Sequence, residues 1–205
     1  DVPSATVVHA PWAVRVRKRV PGFQKRAGLA FIGNFAHAPN VDAARWLVDE
    51  IMPLVWKQAP DIICHLVGSA MPEEIRRLAS DRVHILRHIP DLCEVLDQVR
   101  LTVAPLRFGA GIKGKVLDSL AAGVPCVMTP IATEGLILPK ALTKLVGTGN
   151  ANLAQLIVRA HTERDLFNQN SKAGQSYIGD QHDEQCVVQS LQIALRATAD
   201  TQKAG

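Results

Sequence analysis

The 205-residue chain contains few aromatic residues, with five Phe, three Trp and one Tyr. Proteins that bind single-stranded nucleic acid stack bases on exposed aromatic side chains, so this composition argues against that class. The net charge of +4 is modest, whereas nucleic-acid-binding domains usually carry a broad basic face. The single basic cluster, at residues 15–19, is interpreted as a solvated linker. We therefore predict no nucleic-acid partner.

The four cysteines lie far apart, without a CxxC pair and without a histidine at a spacing typical of zinc sites. Cys64 and Cys126 fall within apolar runs, where cysteine behaves as a small hydrophobic residue. This pattern favours reduced thiols in a cytoplasmic protein over disulfides or a metal site. No apolar run approaches the roughly eighteen residues that a membrane-spanning helix needs, and no signal peptide is recognisable.

Short apolar runs alternate with helix-like segments along the first two thirds of the chain. The predicted strands are residues 29–33, 62–68, 83–86, 101–104 and 124–128, and the predicted helices include residues 91–98 and 114–122. Continuously apolar strands separated by helices are typical of a parallel sheet covered on both faces. Right-handed crossovers then make an α/β, Rossmann-like doubly wound sheet. The residues from about 150 onward are predicted to be helical.

A few further residues lie in or next to the first predicted helix of this alternation. Asn40 is interpreted either as the N-cap of that helix or, with His37, as a residue that positions a ligand. Trp46, and Trp56 farther along, are interpreted as core residues because they fall within the apolar pattern.

The segment 107–129, RFGAGIKGKVLDSLAAGVPCVMT, carries the strongest functional signal. It is typical of a glycine-rich loop at the N-terminus of a helix, with an apolar strand on either side. Free backbone N–H groups, the positive end of the helix dipole and the ammonium groups of Lys113 and Lys115 would all attract a phosphate there. Glycines let the backbone approach the anion closely. The sequence therefore predicts a site for a nucleotide or another phosphorylated ligand.

Residues 109–114, GAGIKG, also match the GxGxxG pattern of dinucleotide-binding proteins, with Glu134 twenty residues farther on. Three observations count against NAD. The loop follows the fourth predicted strand instead of the first, and Glu134 lies several residues beyond the next strand. The two lysines also add charge that a pyrophosphate at such a loop does not usually need. NAD binding is the least favoured alternative.

The flanking sequence supports a more specific interpretation. The blocks FIGNFAHAPNVDAARWL, HLVGS, HIPDL and VAPLRFGAGIKGKVLDSLAAGVPCVMTPIATEGL follow one another in residues 31–136. In order and spacing they closely resemble the donor-binding half of the group 1 glycosyltransferases. These are GT-B-fold enzymes that use nucleotide sugars and usually retain anomeric configuration. The resemblance covers roughly residues 29–180, and GAGIKGKVLD is its most specific part.

The resemblance implies roles for individual residues. Lys113, Arg107 and Lys115 would stabilise the charge that develops on the departing nucleoside diphosphate, as a metal-independent enzyme requires. Asp118 would accept hydrogen bonds from both ribose hydroxyls. The other implied donor-binding residues are Gly33 and Asn34 in the turn after the first strand, His88 and Ile89 beside the base, Gly109, Ala110, Gly111, Ile112 and Gly114 in the loop, and Glu134 near the sugar or diphosphate.

Some of these residues also have simpler interpretations. Lys115 and Asp118 stand three positions apart and could form a surface ion pair. His88 precedes a turn proline and could be an exposed loop residue. Glu134 could merely end the turn before Gly135.

The sequence departs from the family pattern at two places. The family signature has two glutamates eight positions apart, but here Asp118 stands at the second position and Ala110 at the first. The Arg/Lys pair that often follows the first strand is replaced by residues 34–37, NFAH. We expect Lys113 and Lys115 to compensate for that missing pair.

The resemblance covers only the donor half of such enzymes, so we expect this chain to be the donor domain alone. Residues 1–28 are interpreted as an interdomain linker or lead, 29–150 as the Rossmann-like nucleotide-sugar-binding domain, and 151–205 as helices that pack on it. The expected ligand is a UDP- or GDP-linked sugar, with no cofactor and no metal. The other expected partner is an acceptor domain that this chain lacks.

For the full-length protein we expect a cytoplasmic role in polysaccharide, lipid-linked glycan or protein glycosylation, with peripheral membrane association as a further possibility. Two alternatives besides NAD binding stay open. One is a non-catalytic nucleotide-sugar-binding module, which the absence of the first acid favours. The other is a GT-B-fold nucleotide-sugar epimerase, which would need acid and base residues from another domain.

Overall fold

The computed structural model describes residues 12–87 and 89–203, and its centre is a five-stranded parallel sheet. The strands are β1 (Leu29–Asn34), β2 (Cys64–Ser69), β3 (Val83–Arg87), β4 (Leu101–Ala104) and β5 (Cys126–Met128). The helices are α1 (Ala38–Trp46), α2 (Met52–Trp56), α3 (Glu73–Arg76), α4 (Leu92–Gln98), α5 (Gly114–Ala121), α6 (Lys140–Thr143), α7 (Asn150–Thr162), α8 (Arg164–Gln181) and α9 (Glu184–Lys203). The predicted α/β, Rossmann-like fold is confirmed.

The strand order in the sheet is β3-β2-β1-β4-β5, and every neighbouring pair is parallel. Leu29, at the start of β1, lies opposite Cys64 of β2 on one side and Leu101 of β4 on the other. The chain therefore builds the sheet outward in one direction from β1 to β3, and then returns to add β4 and β5 on the other side. This reversal makes the β1–β4 pair the switch point of the sheet.

Apolar strands are buried here because helices cover the sheet. All the residues of β4 and β5 are buried, which explains why both runs are apolar without alternation except at Thr102, whose hydroxyl donates to Oγ of Ser119. Cys64 and Cys126 belong to this core as predicted, and burial raises the pKa of each thiol to about 12. Trp46 is buried as predicted, and Trp56 packs against the edge of the same core. No helix in the described ranges combines the length and apolarity that crossing a bilayer requires.

The first helix begins three residues earlier than an Asn40 cap would allow. α1 starts at Ala38 with His37 as its N-cap residue, so the prediction that Asn40 caps this helix is wrong. Pro39 occupies the first turn, where a proline loses no intrahelical hydrogen bond and has a suitable φ. Asn40 lies inside the helix, and its side chain is free to bond elsewhere.

The segment before β1 is attached to the sheet domain by arginines. Arg17 forms a two-fold hydrogen-bonded ion pair with Asp97 of α4, at 2.7 and 2.8 Å. The guanidinium of Arg26 is buried and donates to the carbonyl oxygens of Pro21, Leu96, Val99 and Ala122. The basic cluster at residues 15–19 is thus only partly solvated, since one of its arginines is bound to α4.

Candidate functional site

The candidate site lies at the carboxyl ends of β1 and β4, where the strand order of the sheet reverses. Ligands of open parallel sheets bind in the crevice at such a reversal, because the connections after the two strands diverge from each other. The turn at residues 34–37 follows β1, and the loop at residues 105–113 follows β4. The glycine-rich loop identified in the sequence therefore lies where this fold binds ligands.

The glycine loop has a backbone that other residues would adopt only with strain. Gly109 and Gly111 have φ values of 127° and 75°. A Cβ atom at Gly111 would meet no heavy atom within 4 Å, so the conformation, not packing, requires glycine there. Lys113 is the N-cap residue of α5, and its side chain makes no capping hydrogen bond. The first N–H groups of α5 thus receive no side-chain cap and are available to an anion.

Lys115 is a desolvated cation at the start of α5. Its Nζ donates to Oδ1 of Asn40 at 2.6 Å and lies 4.4 Å from the centroid of the Phe31 ring. Burial lowers its pKa to about 8. Among the described residues no carboxylate pairs with it, so the predicted alternative of an ion pair with Asp118 is wrong. A buried ammonium without a counter-charge is costly, and a bound anion would relieve that cost.

Lys113 connects the glycine loop to the segment that follows β5. Its side chain is 9% exposed, and Nζ donates to the carbonyl of Gly111 and to Oε2 of Glu134, the latter at 3.3 Å. The Glu134 side chain is 52% exposed and can turn away into solvent. Glu134 therefore competes with any anion for Lys113, whereas Lys115 has no such competitor within the described part of the chain.

Arg107 is bound to α1. Its Nε and Nη2 donate to the Asp42 carboxylate at 2.9 and 2.5 Å, and its guanidinium lies 5.2 Å from the centroid of the Trp46 ring. The hydrogen bond to Asp42 raises the pKa of Arg107. Arg107 and Phe108 line a cavity of about 680 Å³ with residues of α1. Arg107 could contact a diphosphate through Nη1, which takes no part in that ion pair, or by exchanging Asp42 for the ligand.

Asp118 lies one turn into α5, at the wall of a second cavity of about 390 Å³. The other residues of this wall include Trp12, Leu92, Cys93, Leu96 and Gly114. Burial raises the pKa of the Asp118 carboxyl. No cation pairs with this carboxylate in the parts of the chain that the structure describes, so its oxygens are free to accept hydrogen bonds from hydroxyl groups.

The turn after β1 is coupled to Lys115 through Asn40. Oδ1 of Asn34 accepts a hydrogen bond from the backbone N–H of Ala36, at 3.0 Å, and stabilises the turn. Nδ2 of Asn40 donates to the carbonyl of Asn34 at 2.8 Å, while its Oδ1 accepts from Lys115. A Cβ atom at Gly33 would stand 2.9 Å from Cγ of Asn40, so a side chain there would displace the amide. The alternative that Asn40 positions a ligand thus stays a prediction, whereas its contact with Lys115 was not predicted, because its helix was expected to start later.

The remaining predicted residues that the structure describes, Ile112, Ala110 and Ile89, line neither of the two cavities. Ile112 packs against the core and leaves no room for a side chain at Gly135. Ala110 is exposed and supplies no polar group where the family pattern has its first acid. Ile89 packs against the apolar cluster beneath α4. His88 lies outside the described residues.

The electrostatics of the crevice are those of an anion site. Two lysines and the uncapped N-terminus of α5 converge on it, and the carboxylate of Asp118 lies beyond them, one helical turn away. Across the described ranges there is no group of three or more His, Cys, Asp or Glu side chains arranged to hold a metal ion.

Comparison with known proteins assigns the chain to a family. A model of the family "Glycosyl transferases group 1" matches residues 26–163, more than half of the chain. An uncharacterized 44.6 kDa protein from the cps region of Klebsiella pneumoniae is 28% identical over 114 residues. That match covers 51% of this chain and 29% of the Klebsiella protein.

Solved structures share the fold at low sequence identity. A TarM variant from S. aureus, in complex with fondaparinux, α-GlcNAc-glycerol and UDP, superposes with a TM-score of 0.70 at 14% identity. WaaG, a glycosyltransferase involved in lipopolysaccharide biosynthesis, gives 0.67 at 16%. HepE of Anabaena, in complex with UDP and glucose, gives 0.68 at 14%. These matches cover 91%, 90% and 86% of this chain.

The chain is shorter than all of these proteins. It spans 37% of the TarM chain, 55% of WaaG and 49% of HepE. The family match nevertheless runs from the segment before β1 to the end of α7 and includes the whole glycine loop. Because that match takes in both sides of the crevice, the chain belongs to the group 1 glycosyltransferase family, as its sequence blocks predicted.

Proposed function

We propose that this chain is the donor-binding domain of a glycosyltransferase and binds a UDP- or GDP-linked sugar in the crevice between β1 and β4. The observation that carries the proposal is Lys115, a partly buried, desolvated ammonium whose hydrogen-bond partner among the described residues is the neutral amide of Asn40. A diphosphate would supply the missing negative charge. The UDP complexes of TarM and HepE support this choice of ligand.

The diphosphate would lie between the turn after β1 and the N-terminus of α5. Backbone N–H groups at the start of α5 would donate to its oxygens, and Lys113 and Lys115 would neutralise its charge. Glu134 would release Lys113 to the ligand. Since Gly33 has no side chain, the Asn40 amide can remain beneath the diphosphate and hold Lys115 in place.

The nucleoside would extend from the diphosphate toward the cavity of about 390 Å³. The half-buried carboxylate of Asp118 is suited to accept hydrogen bonds from the two ribose hydroxyls, because it has no competing partner among the described residues. Ile89, and His88 beside it in the sequence, would contact the base. This arrangement follows the order phosphate, ribose, base along α5 and the start of α4.

In the reaction, the bond between the anomeric carbon and the diphosphate oxygen would break. The electron pair stays on that oxygen, so the departing nucleoside diphosphate gains a negative charge while the sugar passes to the acceptor. Preorganised cations and N–H groups stabilise such a charge without reorganisation. We propose that Lys113 and Lys115 do so with no resident metal or cofactor, and that the sugar keeps its anomeric configuration as is usual in this family.

The acceptor would be held by a second domain that is separate from this chain. This chain spans 29% to 55% of the length of the relatives compared above. The rest of each relative is therefore long enough to contain such a domain. A role in polysaccharide biosynthesis is supported by the relative from a cps region. Full transferase activity of the 205-residue chain by itself would refute the donor-only role.

A second candidate is a non-catalytic nucleotide-sugar-binding module. The observation that favours it is Ala110, which supplies no carboxylate at the place of the family's first acid. Replacing Lys113 in the full-length protein separates the two candidates, because an enzyme loses turnover whereas a module loses affinity alone.

The proposal is tested by calorimetric titration of the chain with UDP, GDP and NAD. We expect one nucleoside diphosphate to bind and its affinity to fall several-fold in Lys113→Ala. Lys57→Ala is the matched control, because Lys57 is an exposed lysine at the end of α2, before the start of β2, and lines neither of the two cavities. Binding of NAD without binding of UDP or GDP would overturn the donor-site proposal.

A further inference from the structure

Trp12 is an exposed tryptophan at the mouth of the cavity of about 390 Å³ in which we place the nucleoside, called here the nucleoside cavity. Its indole is 61% exposed, whereas Trp46 is buried and hydrogen-bonded to Asn150, and Trp56 donates to the carbonyl of Ile62. An exposed aromatic side chain at the mouth of a cavity can cover one face of a ligand bound there. Trp12 therefore differs from the other two tryptophans in having a free aromatic surface.

The indole borders the first residue of α5. Three adjacent atoms of its six-membered ring lie 3.7 to 4.0 Å from the place where a Cβ atom of Gly114 would stand. Asp118 lies on the same side of α5, one turn farther on, and both residues line the cavity of about 390 Å³. The indole is thus next to the carboxylate that we assign to the ribose.

The backbone around Trp12 is anchored, although the indole is exposed. Its carbonyl lies 3.1 Å from Nδ1 of His182, and the N–H of Val14 donates to the His182 carbonyl at 2.8 Å. His182 is itself buried and contacts the hydroxyl of Tyr177. These bonds hold the backbone of Trp12 in place before any ligand arrives, which lowers part of the ordering cost of binding.

The chemistry of the cavity suits a nucleobase. Apart from Asp118 and two arginines at its rim, the wall consists of apolar or small residues such as Leu92, Leu96 and Gly114. An aromatic base with an indole on one side and leucine side chains on the other would bury both of its faces. Stacking accepts every base, because all of them have a π-face.

We propose that Trp12 stacks on the nucleobase of the donor. This contact would strengthen the binding of any nucleotide without selecting one base over another. This inference rests on the proposed function, since it places the base beyond the diphosphate and ribose positions described above. It also gives the segment before β1 a part in donor binding.

The test is calorimetric titration of the full 205-residue chain with UDP, GDP and inorganic pyrophosphate. The variants are Trp12→Leu, which removes the aromatic ring, and Trp12→Phe, which retains one. Ile137→Ala is the matched control, because Ile137 is 90% exposed and lines neither the crevice nor the nucleoside cavity. Quenching of tryptophan emission by UDP is followed in the wild type and in Trp12→Phe.

We expect Trp12→Leu to weaken binding of the favoured nucleotide about fivefold or more, at the lower end of the stacking contributions measured for aromatic side chains. Trp12→Phe should stay within about twofold of the wild type but lose most of the UDP-induced quenching. Pyrophosphate should bind equally well to all four proteins, since it has no base.

Three results would overturn the inference. Unchanged UDP binding by Trp12→Leu would leave the donor site standing without a stacking role for Trp12. Tighter UDP binding by that variant would mean that the indole covers the cavity instead of receiving a base. Equal losses for UDP and pyrophosphate would mean that the substitution disturbs the fold. If neither UDP, GDP nor pyrophosphate binds to the wild type, the proposed function itself fails.

Discussion

Replacing Lys115 by methionine is expected to weaken diphosphate binding while leaving the domain equally stable or more stable. Methionine keeps an unbranched stem against Phe31 but removes the ammonium and its hydrogen bond to Asn40. In the free protein that ammonium has no carboxylate partner within the described residues. Function and stability should therefore respond in opposite directions to one substitution.

The effect on affinity follows from the bond that is lost. A hydrogen bond between a charged donor and a charged acceptor contributes about 1.5–3 kcal/mol. The dissociation constant of UDP or GDP should therefore rise roughly 10- to 100-fold. Lys57→Met removes an exposed lysine of equal charge from the end of α2 and should leave the constant unchanged.

The effect on stability follows from the lowered pKa. The pKa of Lys115 falls from 10.5 to about 8 on burial, so the folded state disfavours the ammonium relative to the unfolded chain. Each pKa unit corresponds to about 1.4 kcal/mol, which partial solvent screening reduces. Since the bond to Asn40 is lost as well, we expect the free energy of unfolding at pH 7 to rise by 0 to about 2 kcal/mol.

The pH dependence provides an independent check. Between pH 8 and 10.5 the folded wild type has released the Lys115 proton while the unfolded chain retains it, so the contribution of Lys115 to stability rises with pH in that window. The buried Cys64 and Cys126 thiols contribute with the opposite sign, because the unfolded chain loses their protons first. The affinity for UDP should fall over the same range, because the free protein loses its cation. The stability of the wild type relative to Lys115→Met should therefore rise with pH, because both proteins share the cysteine contribution, and the fall in affinity should be absent in Lys115→Met. Urea denaturation and calorimetry at pH 7 and pH 9.5 measure them.

The reasoning about Lys115 is refuted by one combination of results. If Lys115→Met loses more than about 1 kcal/mol of stability and binds the nucleotide as the wild type does, the lysine is a structural residue. A loss of both stability and affinity in Lys57→Met as well would point to a general charge effect.

Three further predictions concern other parts of the chain. Asp118→Asn should weaken UDP about 5- to 30-fold without changing pyrophosphate binding, because it weakens the ribose contacts alone; equal losses in calorimetry would contradict this. Arg26→Met should lower the free energy of unfolding by about 3–5 kcal/mol in urea, since it leaves four carbonyl oxygens without a donor; a loss below 1 kcal/mol would argue against it. Nε2 of His161 accepts a hydrogen bond from the N–H of Gly28, and burial lowers the pKa of His161 to about 4. As the pH falls, His161 is therefore protonated in the unfolded chain before it is protonated in the folded one. Stability should drop by roughly 1–3 kcal/mol between pH 6.5 and 4, with a smaller slope in His161→Gln; equal slopes in thermal melts would exclude His161 as the cause.

The glycine loop and the strands that flank it were predictable because their signals are local. β4 and β5 are buried on both faces and therefore apolar apart from Thr102, and helix α5 starts directly after the loop. Gly111 has a positive φ, which the glycine itself signals. The blocks that resemble group 1 glycosyltransferases belong to this same local class, since each is a continuous stretch of chain within one element or a few neighbouring ones.

The start of α1 was mispredicted for a reason that is also local. Asn40 is a good capping residue by type, but Pro39 before it is favoured in the first turn, and the helix begins at Ala38. The proline was the available signal. Its consequence is functional, because an Asn40 inside the helix can reach both Asn34 and Lys115.

By itself the sequence determined the alternation of strands and helices, the glycine loop with its two lysines, and the family. The tertiary structure decided which of these side chains meet. Lys115 bonds to Asn40 across 75 positions, and Trp12 contacts His182 across 170. Periodicity and motifs record a residue's neighbours along one element, whereas such pairings depend on how separate elements pack. For that reason Lys115 proved to be a desolvated cation without a counter-charge in the described structure, and not half of a surface ion pair.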